Sequence, residues 1–322
     1  MKTRVLLVFA AAALMAAPTY KVITKIKVGG GVRWDYAYLD SANHRLYVSH
    51  GTQTEVIDTA TDKVAGTIQG TNGVHGIAVA NDLNKGFTSD GGDNDVTVFD
   101  LKTLAVQTKV KTGQNPDSII YEPVTHRVFT FNGRSSDSTA IDAKTGNVIT
   151  ASIPVGGKPE FAQVDGKGHV YANIEDKNEI IEIDAKNALV SKRYSIAPCD
   201  GPSGLAIDPK GRLYSVCSNK MMIISDPAAG KVLASVPTGP GTDGVAFDDG
   251  FAFSANGGDG TITMVGETSP GKFEAVATIQ TMRGARTIAA DQKAQAVSAG
   301  RGVRAGDRRQ GRQEGPAAGD SG

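Results

Sequence analysis

The chain has 322 residues, with 34 basic and 34 acidic side chains, 39 glycines and few aromatic residues. Abundant glycine and the lack of long amphipathic helical patterns exclude a helical bundle and favour one large domain of many short strands. Charge is unevenly spread: without Lys2, Arg4 and residues 293–322 the body carries 26 basic and 31 acidic residues, which argues against nucleic acid as a partner.

At the N-terminus, Lys2 and Arg4 precede an apolar run, Val5–Leu14, and the small residues Ala16 and Ala17. That is the pattern of a secretory signal peptide over residues 1–17. The run is shorter than the ~20 residues that span a bilayer, so no membrane span is expected. The protein is therefore predicted to be periplasmic or secreted. Pro18 argues against cleavage directly after Ala17.

From there the chain repeats. Asp58, Asp100, Asp142, Asp184 and Asp226 recur every 42 residues, each after an apolar stretch (EVID, TVFD, TAID, IEID, IISD). A period of about 40–45 residues marks a β-propeller blade, a unit that buries its faces only against its neighbours. The periodic aspartate is read as an Asx-turn acceptor for the N–H groups that follow it.

Aligned on these aspartates, each unit begins with an apolar strand: YAYLD (36–40), GIAVA (76–80), SIIYE (118–122), FAQVD (161–165), GLAID (204–208), GVAFD (244–248) and TIAAD (287–291). There are seven such strands, so the expected fold class is all-β, a seven-bladed β-propeller. The sixth unit departs from the pattern, with Thr268 inside a longer loop. KVITKIKVGG (21–30) matches a fourth strand without its first three, and is expected to complete the last blade as a clasp.

After Asp291 the repeat stops. Residues 293–322 are rich in Gly, Arg and Ala, and read as a disordered basic extension or an out-of-frame segment. The domain is thus placed at 20–292, with an incomplete last blade and a ring that does not close.

The units IDTATDKV, IDAKTGNVITASIPVGGKP and GPSGLAIDPKGRLYSVCSNKMM resemble the YVTN-type (YncE-like) β-propeller repeat family, over about residues 20–292. The resemblance implies the fold. Its functions are diverse and include a periplasmic DNA-binding protein.

Propeller residues just before each first strand face the channel mouth. Here these are Asp35, His75, Asp117, Glu160, Ser203, Asp243 and Arg286, with Trp34, the single tryptophan, beside the first. Trp34 is open to ligand stacking or to packing between blades. The mainly acidic ring suits a cationic group or a divalent metal held by oxygen ligands; Asp117, Glu160 and Asp243 are the metal candidates. Flanking loops add Arg33, His50, Asn132, Arg134, Asn219, Lys220, Asn256 and Arg283. His44, His126 and His169 fall at turns on the opposite face. SDGGDNDV (89–96) has calcium-loop character but carries Leu101 where a glutamate is needed.

Cys199 and Cys217 are placed on one face and are expected to form a disulfide in an exported protein.

No nucleophile elbow, phosphate loop, histidine pair or quinone-specific residue set is present in the sequence. The expected function is binding or interaction by an exported monomer, with an unidentified small molecule or protein as ligand. The alternative is a metal-dependent hydrolase of the lactonase type, with Glu160, Asp117, Asp243 and Asn132 as ligands or base.

Overall fold

The computed structural model describes Tyr20, Val22 and residues 24–28, 34–291 and 296–301. The signal segment 1–17, Arg33 and residues 302–322 lie outside them. Six four-stranded antiparallel sheets and one two-stranded sheet follow in chain order, and no α-helix occurs among the described residues. Nor, among them, is any helix long and apolar enough to cross a membrane.

Each sheet is one blade, and its first strand is innermost. These strands are Trp34–Asp40, Val74–Ala80, Pro116–Glu122, Pro159–Val164, Pro202–Ile207, Thr242–Asp248 and Ala285–Asp291. Each touches the next in that order, and the seventh touches the first. The inner ring is therefore closed, contrary to the expectation from the sequence.

The reason is local. Ala296–Arg301 pairs antiparallel with Ala285–Asp291, so this stretch is a second strand rather than tail. Ladder pairing is made by the backbone and needs no β-branched side chains, so AVSAGR meets it despite its composition. The predicted clasp does not form a ladder: the described residues between 20 and 28 lie outside any strand. Their side chains instead cover the seam, with Tyr20 edge-on to Phe253 and Ile26 and Val28 packed beside Leu46, Val48 and Ala289. Apolar burial, not a hydrogen-bonded strand, holds this segment.

The core lies between blades. Phe129, Phe131, Val170 and Ile181 fill the space between blades three and four, and Tyr47, Val56, Ile77 and Phe99 that between one and two. Burying each of the larger side chains stabilises by about 1.5–3 kcal/mol.

All five periodic aspartates form the expected Asx-turns. Each accepts from the two N–H groups two and three residues on, as Asp58 does from Ala60 and Thr61, both at 2.9 Å. These bonds hold the Asp58, Asp100, Asp142 and Asp184 carboxyls below their ordinary range. Stability from a depressed carboxylate is present above its unfolded value and is lost in acid.

A second repeating contact joins blades. Arg45 donates to the Leu101 carbonyl, and Arg127 to the carbonyls of Ala185 at 2.6 Å and Lys186 at 2.8 Å. Lys85 does the same at Ala143 and Lys144. A basic residue opening one second strand thus clamps the Asx-turn of the next blade. In the sixth blade Glu267 replaces the carbonyls, receiving Arg212 at 2.7 Å and Lys210 at 3.0 Å.

Adjacent inner strands approach closely where Gly76, Gly204 and Gly244 stand. A Cβ on Gly204 would lie 2.5 Å from the Asp243 carbonyl oxygen and 2.9 Å from the Val245 nitrogen. Gly204→Ala is therefore expected to force two backbones apart and cost about 1–3 kcal/mol. Urea unfolding measures it, and an unchanged midpoint would contradict this packing.

Candidate functional site at the channel mouth

A β-bulge sets the mouth. In every blade the first strand loses register with the second at the mouth position: Trp34 pairs with His50 and Ala37 with Val48, leaving Asp35 and Tyr36 opposite Ser49 alone. The same shift occurs at His75, Asp117, Glu160, Ser203, Asp243 and Arg286. An extra residue kinks the strand and re-aims its side chains. The Ser49 hydroxyl accepts from Asp35 N at 2.9 Å, and Ser89 from Gly76 N at 2.8 Å, which satisfies N–H groups the bulge frees.

The structure brings the mouth residues into one polar network. His75 Nδ1 lies 2.5 Å from Asp35 Oδ2 and 3.7 Å from Asp117 Oδ1. Arg286 bridges Asp243 and Asp35, the latter at 3.4 Å. Lys158 meets Glu160 at 2.7 Å and also pairs with Glu175. The Tyr36 hydroxyl donates to Glu160 at 3.5 Å. Ser203 stays in the wall, donating to the Asp243 carbonyl at 3.1 Å.

Burial pushes three of these carboxyls upward. Asp117 is raised by burial and by Asp35, against the pull of His75. Glu160 is pushed up to about 8, by burial first and by Asp117 next. Asp243 reaches about 6, burial outweighing the Arg286 guanidinium. A carboxyl raised on folding favours the native state least when ionised. The mouth therefore destabilises the fold as pH rises from about 4, through the folded values, and then levels off.

Directly after each mouth residue stand Tyr36, Gly76, Ser118, Phe161, Gly204, Gly244 and Thr287. Tyr36 and Phe161 meet edge to face, ring centres 4.9 Å apart, and form the waist of the channel between small residues. A cavity of about 190 Å³ adjoins them, lined also by Tyr38, Ile77, Tyr121 and Val164.

Several other candidates have partners within the fold. Trp34 is half-buried, stacks on His50 with ring centres 4.2 Å apart and packs in the cluster of Leu46, Val48 and Ala289. Asn132 is fully buried and donates to Asp137 at 2.8 Å and Thr139 at 3.0 Å. Asn256, in the same place of blade six, donates likewise to Thr261 and Thr263. Asn219 donates to the Pro198 carbonyl at 2.8 Å, and Arg283 to that of Gly258 at 3.1 Å; Arg134 is exposed and Lys220 sits at a turn with φ 65°.

The acidic loop is filled by lysines: Lys109 lies 3.3 Å from Asp93 and 3.5 Å from Asp95, and Lys111 3.0 Å from Asp95. His44 and His126 occupy left-handed turn positions, but His169 begins a strand one register later, 2.7 Å from Asp165. Cys199 and Cys217 are bonded, with Cα atoms 5.5 Å apart.

The metal candidates do not assemble as first expected. Asp243 is taken by Arg286 and Glu160 by Lys158, because basic residues sit at 286 and 158 beside them. Asp117 groups instead with His75 and Asp35, their ligand atoms within 4.8 Å of one another.

Fold and mouth define a β-propeller. Among solved structures, 85% of this chain matches 90% of U3-55K at 7% identity, TM-score 0.76. It also matches 88% of the RRP9 WD40 repeats over 85% of its length, at 6% identity and TM-score 0.76. The hydrazine synthase of Kuenenia stuttgartiensis matches over 88% of this chain and 99% of that one, at 17% identity and TM-score 0.70. Such identities speak for the fold alone. No family model matches, and no curated protein matches in sequence.

Proposed function

We propose that this chain is an exported, monomeric binding propeller of the YVTN-type (YncE-like) family, with the channel mouth as its ligand site. The observation that carries this reading is the mouth network itself. Six of the seven blades supply an ionisable group at the bulge, and burial raises three of the carboxyls against the stability of the fold. Perturbed groups gathered in a concave site are the mark of function rather than of scaffold. The surplus of carboxylates over Arg286 and Lys158 favours a cationic ligand. The lactonase alternative is weakened, since Asn132 is committed to Asp137 and Thr139, and Glu160 and Asp243 to basic partners.

The test is a thermal-shift panel of organic ammonium compounds and lactones, run on wild type and on Glu160→Gln, together with a lactone turnover assay. Ammonium ligands are expected to raise the wild-type melting temperature, less so in the variant, without lactone turnover. Turnover abolished by Glu160→Gln would establish the hydrolase instead. Shifts indifferent to the variant would move the site away from the mouth. Cell fractionation tests export, and protein retained in the cytoplasm would refute it.

A further inference from the structure

We infer that Asp35, His75 and Asp117 form a site for one first-row divalent transition metal, Zn²⁺ or Mn²⁺, within the mouth. The inference rests on the reading of the mouth as a ligand site and names an inorganic ligand for it. The three donors come from three successive blades, brought together by the stacking of their inner strands. Asp35 Oδ2 lies 2.5 Å and Asp117 Oδ1 3.7 Å from His75 Nδ1. Donors about 2.0–2.2 Å from a tetrahedral ion stand roughly 3.4 Å from one another, so the edge from His75 to Asp35 needs to open by about 1 Å.

An independent observation points the same way. Asp117 Oδ1 is sealed from solvent and accepts no hydrogen bond. A buried acceptor left unmade costs about 1–3 kcal/mol, and an ion is one of the few explanations for its persistence. The neighbours also suit coordination. Arg286 holds Asp35 through Oδ1, which leaves Oδ2 to the metal and fixes the carboxylate plane.

Gly91 makes room for the imidazole, since a Cβ there would lie 2.7 Å from His75 Nε2. Ligation through Nδ1 places the ring proton on Nε2 and displaces any proton shared with Asp35 to solvent. Two carboxylates and one neutral imidazole balance a divalent charge. The nitrogen donor and the small number of protein ligands favour a transition metal over Ca²⁺, which takes 6–8 oxygens.

Isothermal titration of the chelator-stripped full chain with ZnCl₂, MnCl₂ and CaCl₂ tests this. One Zn²⁺ or Mn²⁺ per chain is expected, with Ca²⁺ weaker by about a hundredfold. His75→Ala and Asp117→Asn should each weaken binding by about tenfold or more, while His126→Ala, at a half-buried histidine beside Asp82, should not. Circular dichroism checks folding, and Co²⁺ visible absorption, lost in His75→Ala, reads the nitrogen ligand directly in protein that remains folded. Absence of saturable transition-metal binding, or binding indifferent to His75→Ala, would overturn the inference. Should metals fail while organic ammonium ligands still shift the melting temperature through Glu160, the mouth reading stands and the metal alone is refuted.

Discussion

Asp90→Asn is expected to stabilise the protein by about 2–4 kcal/mol at pH 8 and to have little effect near pH 4. Asp90 ends the second strand of blade two, is fully buried, and has its carboxyl pushed up to about 7 by burial, against hydrogen bonds from Thr97 and Thr88. An unfolded aspartate ionises near 3.8, so the folded state resists ionisation across that whole interval. The native state binds the proton more tightly, and stability falls as pH climbs from about 4 to 7, then stays low.

The repeat itself supplies the remedy. Asn132 and Asn256 occupy the same place in blades three and six, each donating to a threonine that matches Thr97. Asn132 also donates to Asp137, the counterpart of Asp95, so an amide at 90 meets an acceptor already in position. Urea unfolding at pH 4, 6 and 8 measures the gain. A destabilised variant, or a gain independent of pH, would contradict the assignment of Asp90 as a buried acid whose ionisation the fold resists.

Arg286→Met is expected to cost about 2–3 kcal/mol, less than the 3–5 of a fully buried pair because the side chain is 40% exposed. The guanidinium stands on blade seven and holds Asp243 of blade six and Asp35 of blade one. Removing it leaves Asp243 buried without its cation and strips the seam where the ring closes. The double variant Arg286→Met/Asp243→Asn should recover much of the loss, because no uncompensated carboxylate then remains. Additive losses would place the effect in packing rather than in charge.

The aspartate period was enough to align the blades and to mark one mouth residue in each, because turn chemistry and strand alternation are local. Cys199 and Cys217 were equally legible, since a short hairpin register places Cys217 opposite Pro202. What depended on neighbouring blades was not. The grouping of Asp117 with His75 and Asp35, instead of with Glu160 and Asp243, follows from where Lys158 and Arg286 reach. The clamp from Arg45, Lys85 and Arg127 joins residues 56–59 positions apart, a contact that no single-unit pattern contains.

The waist was one position away from being found: reading the residue after each mouth position shows Tyr36 and Phe161 among small neighbours. The strand at Ala296–Arg301 was hidden for another reason, since its composition is poor in the residues that favour strands and its pairing is made by the backbone.

The central claim is that the raised carboxyls of the mouth are kept for binding and not for stability. Urea unfolding of Asp117→Asn at pH 8, in metal-free buffer, tests it most directly. Asp117 is raised by burial and has one oxygen without a hydrogen bond, so a neutral amide should leave the protein as stable as wild type or more so. A loss of more than about 1 kcal/mol would show instead that the Asp117 carboxylate helps hold the ring together.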